Sequence, residues 1–230
     1  MASRASADRP DSGNGRGAGS SAARAAVLER IRSATRGEPL EVAVPRDYAT
    51  GSPLAGDALT DRFAERVSSY RASVHRSAPD EIAKRVIVLA RERGARRVAV
   101  APAVPDAWRP DGVEVVVDHG LAASALDRID GAVTGCALAI AETGTLVLDG
   151  GPRCGRRTLT LVPDWHVCVV EVDQVVGSVP EAIAALHEAA GAGRPLTFVS
   201  GPSATSDIEL SRVEGVHGPR TLDVVLVAPK

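Results

Sequence analysis

The sequence predicts an α/β fold: a three-layer, mostly parallel sheet with helices between its strands and an antiparallel portion around Glu142. Helix-type periodicity gives way to short apolar runs, Arg97-Val98-Ala99-Val100-Ala101 and then Val113-Glu114-Val115-Val116-Val117, the alternation expected of an α/β domain. Two extended runs, at 137–141 and 146–148, are separated only by Glu142-Thr143-Gly144-Thr145, which therefore sits in a tight turn between antiparallel strands. With 230 residues and no long linker between the apolar runs, one large domain is favoured over two small ones.

In chain order, residues 1–20 are rich in Ser, Gly, Arg and Asp and poor in bulky apolar groups, so burial does not offset chain entropy and a disordered tail is expected. From Ser21, the positions Ala25, Leu28 and Ile31 suggest a short amphipathic helix ending near Gly37. Pro39, Pro45 and Pro53 mark an irregular connection, so that 21–59 is helix plus connection and 60–230 the α/β domain. Thr60 or Asp61 caps a helix whose Phe63, Val67, Tyr70 and Val74 share one face. Core packing accounts for its aromatics more simply than a ligand does.

Pro79-Asp80-Glu81 opens a helix with Ile82, Val86 and Leu89 inward and Gly94 as its stop. After the two strands already named come a short helix over 121–129, the hairpin around Glu142, and a strand over 166–172. A helix over 180–190 has Ile183 and Leu186 inward, a strand over 196–200 enters a Gly-Pro-Ser loop, and a strand over 222–227 closes the sheet. No internal repeat interrupts this order.

Composition narrows the function. Twenty-seven basic against 29 acidic residues leave a net charge of −2, which suggests neither a nucleic-acid surface nor an anionic-membrane surface. Arg supplies nearly all the basic charge, Lys84 and Lys230 being the only lysines, which reads as compositional bias. No run of 18 apolar residues and no secretory leader is present, so a cytoplasmic protein without membrane insertion is expected. Cys136, Cys154 and Cys168 are odd in number and lack CxxC spacing, which argues against a disulfide framework and against a zinc or iron–sulfur site built by this chain alone. Cys168 alternates within an apolar run and reads as a small buried residue. The histidines and carboxylates form no HxH or HxxxH group, so no metal site is expected.

Three polar blocks beside apolar runs carry the candidate chemistry. Glu142 lies next to Thr143, Gly144 and Thr145, placing a carboxylate by hydroxyls and a flexible backbone. That suits a general base or nucleophile with nearby N–H donors, or equally a carboxylate that caps the turn. Gly201-Pro202-Ser203-Ala204-Thr205-Ser206-Asp207 follows a strand and precedes a helix-like segment. Its hydroxyls and amides can cradle a phosphate or carboxylate, and Ser203 or Thr205 can also serve as a helix N-cap. Neither a Walker lysine nor GxGxxG accompanies it, so no ATP or NAD site is assigned.

In Gly215-Val216-His217-Gly218-Pro219-Arg220 a rigid turn presents an imidazole able to shuttle a proton and a guanidinium able to clamp a carboxylate. His166, after Pro163-Asp164-Trp165, joins the cleft or fixes the turn, and Arg156 and Arg157 offer guanidinium groups to an anion or to a partner subunit. The candidate catalytic residues are Glu142, His217 and Asp207. The candidate substrate or anion contacts are Thr143, Gly144, Thr145, Arg156, His166, Gly201, Ser203, Thr205 and Arg220. His75, His119 and His187 belong to no constellation and read as surface residues.

Four blocks in order, Ala141-Glu142-Thr143-Gly144-Thr145, Leu161-Val162-Pro163-Asp164-x-His166, Gly201-Pro202-Ser203-x-Thr205-x-Asp207-Ile208-Glu209 and Gly215-Val216-His217-Gly218-Pro219-Arg220, resemble the lactate-utilisation (LUD) domain, closest to its short, single-domain protein C type. The resemblance is strong from about Val133 onward and faint before it. It implies the fold shared by ribose-phosphate isomerase, glucosamine-phosphate deaminase and CoA-transferases. It also implies a role in oxidising L-lactate to pyruvate, as an accessory or substrate-handling subunit for a small carboxylate. In that system the iron–sulfur clusters belong to cysteine-rich partner proteins, and this chain binds no cofactor itself. The alternative is a stand-alone isomerase- or CoA-transferase-like enzyme acting through Glu142 on a small phosphorylated or acyl substrate. The fold class also allows a homodimer.

Overall fold

Six parallel strands form the larger of two sheets in the computed structural model, which describes residues 16–37, 44, 45, 47–202 and 218–228. The chain divides into two units, Met1–Asp47 and Tyr48–Lys230. In the first, helix α1 (Arg16–Ala34) begins before the expected Ser21. Ala25 and Ile31 are exposed and Leu28 is half-buried, so the expected apolar face of this helix is not fully buried. Apart from residues 16–20, the expected N-terminal tail lies outside the described residues.

In the second unit, α2 (Gly56–Ser69) starts one turn before Thr60 and buries Phe63 and Val67 as expected. It stops sooner than its apolar spacing suggests: Arg71 takes a φ of 64°, Tyr70 is exposed, and Val74 lies in strand β1 (Ser73–Ser77). Five mixed residues gave no sign of a strand. β1 exists because its backbone completes a parallel ladder with the C-terminal strand. A 3-10 turn at Pro79–Glu81 leads into α3 (Ile82–Glu92), which buries Ile82, Val86 and Leu89 and ends at Gly94 with φ 65°.

The elements that follow are β2 (Arg97–Val100), β3 (Glu114–Val117), α4 (Ala123–Leu126), β4 (Gly131–Gly135), β5 (Leu138–Ile140), β6 (Thr145–Leu148), β7 (Trp165–Glu171) and β8 (Val175–Val176). Then come α5 (Val179–Ala185), α6 (His187–Gly191), β9 (Thr197–Val199) and β10 (Thr221–Val227). The expected helix over 180–190 is therefore two short helices, with Ala182 and Leu186 inward and Ile183 exposed. A capping box between Ser178 and Glu181 starts the first of them, and Ala182 takes its buried position.

The larger sheet runs β1-β10-β7-β4-β2-β3, with every pairing parallel. β10 lies between β1 and β7 rather than closing the sheet, because β1 takes the edge. The antiparallel portion is a separate mixed sheet, β8-β5-β6-β9, in which β5 and β6 form the hairpin around Glu142. One face of the larger sheet packs on α3, with Val86, Leu89, Val133, Val167 and Val225 in one cluster. The other face meets α2 and the smaller sheet through Phe63, Val67, Leu146, Cys168, Val170 and Val224. The far face of the smaller sheet is covered by α5 through Leu138, Ile140, Val147 and Ala182. Burying a side chain such as Phe63 or Leu146 contributes about 1.5–3 kcal/mol, and these two fix the hairpin against α2.

Candidate functional site

The β5–β6 turn is held against α2 by its glycine. Gly144 has φ 62°, and a Cβ there would lie 2.6 Å from the backbone of Arg66 and Val67. Gly201 repeats the arrangement at the end of β9, with φ 83° and a Cβ that would meet the Tyr70 carbonyl at 2.6 Å. Close approach to the end of α2 thus requires both glycines, whatever a ligand requires.

Between these points runs a chain of hydroxyls. Thr143 Oγ1 lies 2.7 Å from Thr145 Oγ1, which lies 2.7 Å from Ser200 Oγ. Thr145 is buried, so its hydroxyl needs these partners. Ser200 and Gly201, together with Arg157, Thr160 and His166, line a small pocket of about 60 Å³. Gly218 and Pro219, just before β10, complete it, so it sits toward the amino ends of β7 and β10. Parallel α/β sheets more often take ligands at the carboxyl ends.

His166 is 1% exposed, and its Nε2 is 2.8 Å from Thr134 Oγ1 on the neighbouring strand. Burial, and then the charge of Arg157, push its pKa down to about 4, so the ring is neutral at physiological pH. Arg157 donates through a terminal nitrogen to the carbonyl and hydroxyl of Thr160, at 3.3 and 3.1 Å, and burial lowers its own pKa.

Glu142 occupies a different place. It is exposed and faces a cleft of about 900 Å³ lined by Pro53, Leu54 and Ala58 and by the charged Asp61, Arg62 and Glu65. Its backbone N–H donates to the Gly177 carbonyl at 3.1 Å. Arg62 pairs with Glu65 at 2.8 Å and Asp61 pairs with Arg76, so local cations are already engaged around the cleft.

The LUD domain matches residues 119–227, a span that runs from before α4 to the end of β10. A lactate utilization protein C from Deinococcus radiodurans is 44% identical over 206 residues, covering 87% of this chain and 93% of that relative. The chain belongs to the LUD-domain family. A lactate utilization protein C from a Geobacillus species is 32% identical to this LUD-domain protein over 40% of each chain. A crystal structure of a DUF162 family protein from Deinococcus radiodurans, 39% identical, superposes with a TM-score of 0.67 over 76% of this chain and 99% of that one.

The LUD-domain fold thus brings some of the sequence-derived candidates together. Thr143 and Thr145 join Ser200 in one hydrogen-bonded row, and His166 and Gly201 line one pocket. Arg156 is held by Asp118, with its Nε and a terminal nitrogen at 2.8 and 2.9 Å from the two carboxylate oxygens, and also donates to the Leu121 carbonyl. Arg220 is exposed and pairs with Asp164 at 3.4 Å. Ser203, Thr205, Asp207 and His217 lie outside the described residues.

Ser200, Thr134 and Thr160 were not singled out from the sequence. The polarity of Ser200 and Thr134 at the ends of apolar strands was the available signal. A further cluster was also missed: Asp223, buried on β10, accepts from His75 Nε2 at 2.8 Å, Trp165 Nε1 at 2.8 Å and Arg93 at 2.6 and 3.1 Å. His75 is accordingly a half-buried partner of that carboxylate rather than an isolated surface residue. Burial alone would raise the Asp223 carboxyl, yet these donors hold it below its ordinary value.

Proposed function

We propose that this protein is a component of an L-lactate utilization system, acting as a substrate-handling subunit beside iron–sulfur partner proteins. Relatives that carry the name lactate utilization protein C support the system. The observation that carries substrate handling is the hydroxyl row from Thr143 through Thr145 to Ser200, which ties the Glu142 turn to the pocket holding His166. Oxidising lactate to pyruvate removes two electrons and two protons. In this reading the electrons pass to clusters on the partners, and this chain, binding no cofactor itself, supplies groups that hold the carboxylate and take a proton. Glu142 acts as the general base, with Asp207 and His217 as the further catalytic candidates and Ser203, Thr205 and Arg220 as candidate contacts for the carboxylate. The reading is of a cytoplasmic protein, and among the described residues no helix is long and apolar enough to cross a membrane.

One observation favours the alternative of a stand-alone CoA-transferase- or isomerase-like enzyme: the Glu142 cleft, at about 900 Å³, falls in the ~300–1,000 Å³ range of organic-ligand sites. Its charge argues the other way. Asp61, Glu65 and Glu142 against Arg62 make the wall acidic, which repels the phosphates of such substrates.

Co-purification from lactate-grown cells, using native and Glu142→Gln tagged protein with an assay of lactate-dependent electron transfer, tests the reading. Iron–sulfur proteins recovered with both, and activity lost only in the variant, support the subunit and the role of Glu142. Native protein recovered alone and without lactate activity sinks it.

A further inference from the structure

The pocket at His166 is several times larger than the ~10–15 Å³ that one water requires and, at about 60 Å³, too small for a nucleotide. Its walls are chemically specific. Arg157 brings a positive charge, Thr160 and Ser200 bring hydroxyls, and His166 brings a ring whose Nε2 is engaged by Thr134. With Nε2 engaged by Thr134, the ring nitrogen that remains for a ligand is Nδ1. An imidazole in the wall of a small polar pocket offers that nitrogen to a polar ligand atom.

A neutral imidazole carries one N–H, and the Thr134 hydroxyl can either donate or accept. When Nε2–H donates to Thr134, Nδ1 is an acceptor and receives a ligand hydroxyl. When Thr134 donates to Nε2, Nδ1–H is a donor and meets a ligand carbonyl or carboxylate. The same pair of residues therefore accommodates either a C2 hydroxyl or a C2 carbonyl, while a guanidinium and hydroxyls suit a carboxylate.

We propose that the pocket formed by Arg157, Thr160, His166 and Ser200 is a subsite for a short monocarboxylate bearing oxygen on C2, with His166 switching tautomer between the hydroxy and oxo acids. This deepens the lactate-utilization reading and rests on it for the identity of the acid.

The test is nitrogen NMR of the histidine rings in the purified chain, titrated separately with L-lactate, pyruvate, acetate and ADP. Of five histidines, His166 is assigned as the ring whose signals are absent from the His166→Asn variant. Saturable shifts of its ring nitrogens are expected with millimolar lactate and pyruvate, of opposite tautomeric sense, with a weaker response to acetate and none to ADP. Arg157→Gln and Ser200→Ala, checked for native melting temperature, are expected to weaken binding at least about tenfold, and Ser200→Thr to restore it.

A His166 spectrum unmoved by either acid, or moved equally in the Arg157→Gln and Ser200→Ala variants, overturns the subsite. The co-purification separates the two readings. Partners recovered without a His166 response overturn the subsite alone. A His166 response in a chain that recovers no partner supports the subsite and overturns the lactate system.

Discussion

His166 and Thr134 face each other at 2.8 Å across β7 and β4, a ring and a hydroxyl both shut away from solvent inside a sheet of valines. The pair makes stability depend on pH. Burial lowers the folded pKa of His166 from 6.5 to about 4, so between these values the unfolded chain binds the extra proton. The contribution is fully present above pH 6.5 and is lost as pH falls toward 4, by about 3 kcal/mol at the lower end. Melting temperature measured from pH 7 to 4 should fall for the native chain and fall less for His166→Asn. Equal slopes would remove His166 as the cause.

Asp223 gives a second dependence, in a lower range. Its carboxyl is held below the ordinary 3.8, so its contribution is present above that value and lost as pH falls through the folded pKa. Asp223→Ala leaves Trp165, Arg93 and His75 without their shared acceptor, at a cost of about 3–5 kcal/mol. Urea denaturation at pH 7 reads this directly, and a loss under 1 kcal/mol would mean that the cluster behaves as a surface pair.

Gly144→Ala should destabilise the chain by at least about 1–3 kcal/mol, because the turn needs φ 62° and a methyl group there meets α2 backbone at 2.6 Å. Backbone atoms, unlike the end of a flexible side chain, have nowhere to move. A melting temperature unchanged by the substitution would show that the turn does not press on α2 as described.

Thr145→Val keeps the shape of a buried side chain and removes the hydroxyl that joins Thr143 to Ser200. The expected loss is about 1–3 kcal/mol, together with weaker monocarboxylate binding in the neighbouring pocket. Calorimetry of the variant checks both.

All three cysteines are free and buried. Burial pushes the Cys154 thiol up to about 12, and contact with Cys168 together with burial pushes Cys136 well above its ordinary value. Thiolate is the reactive form, so the native chain at pH 8 should resist a thiol reagent that labels three sites in denaturant. Rapid labelling of any one in the native state would contradict this burial.

Periodicity and turn chemistry by themselves determined the α/β class, the hairpin at Glu142, the buried faces of Phe63, Val67, Ile82, Val86 and Leu89, and the polar blocks worth following. These are properties of neighbouring residues, and local spacing records them. Tertiary structure alone decided that β1 is a strand, since its stability comes from pairing with β10 about 150 residues away, and that β10 is internal. It alone decided what the polar residues do. Arg156 is spent on Asp118, Arg220 reaches Asp164, and His75, read as solvated, meets Asp223. Whether a buried polar group serves structure or chemistry depends on which distant partners satisfy it, and folding brings those partners together where sequence spacing carries no record of them.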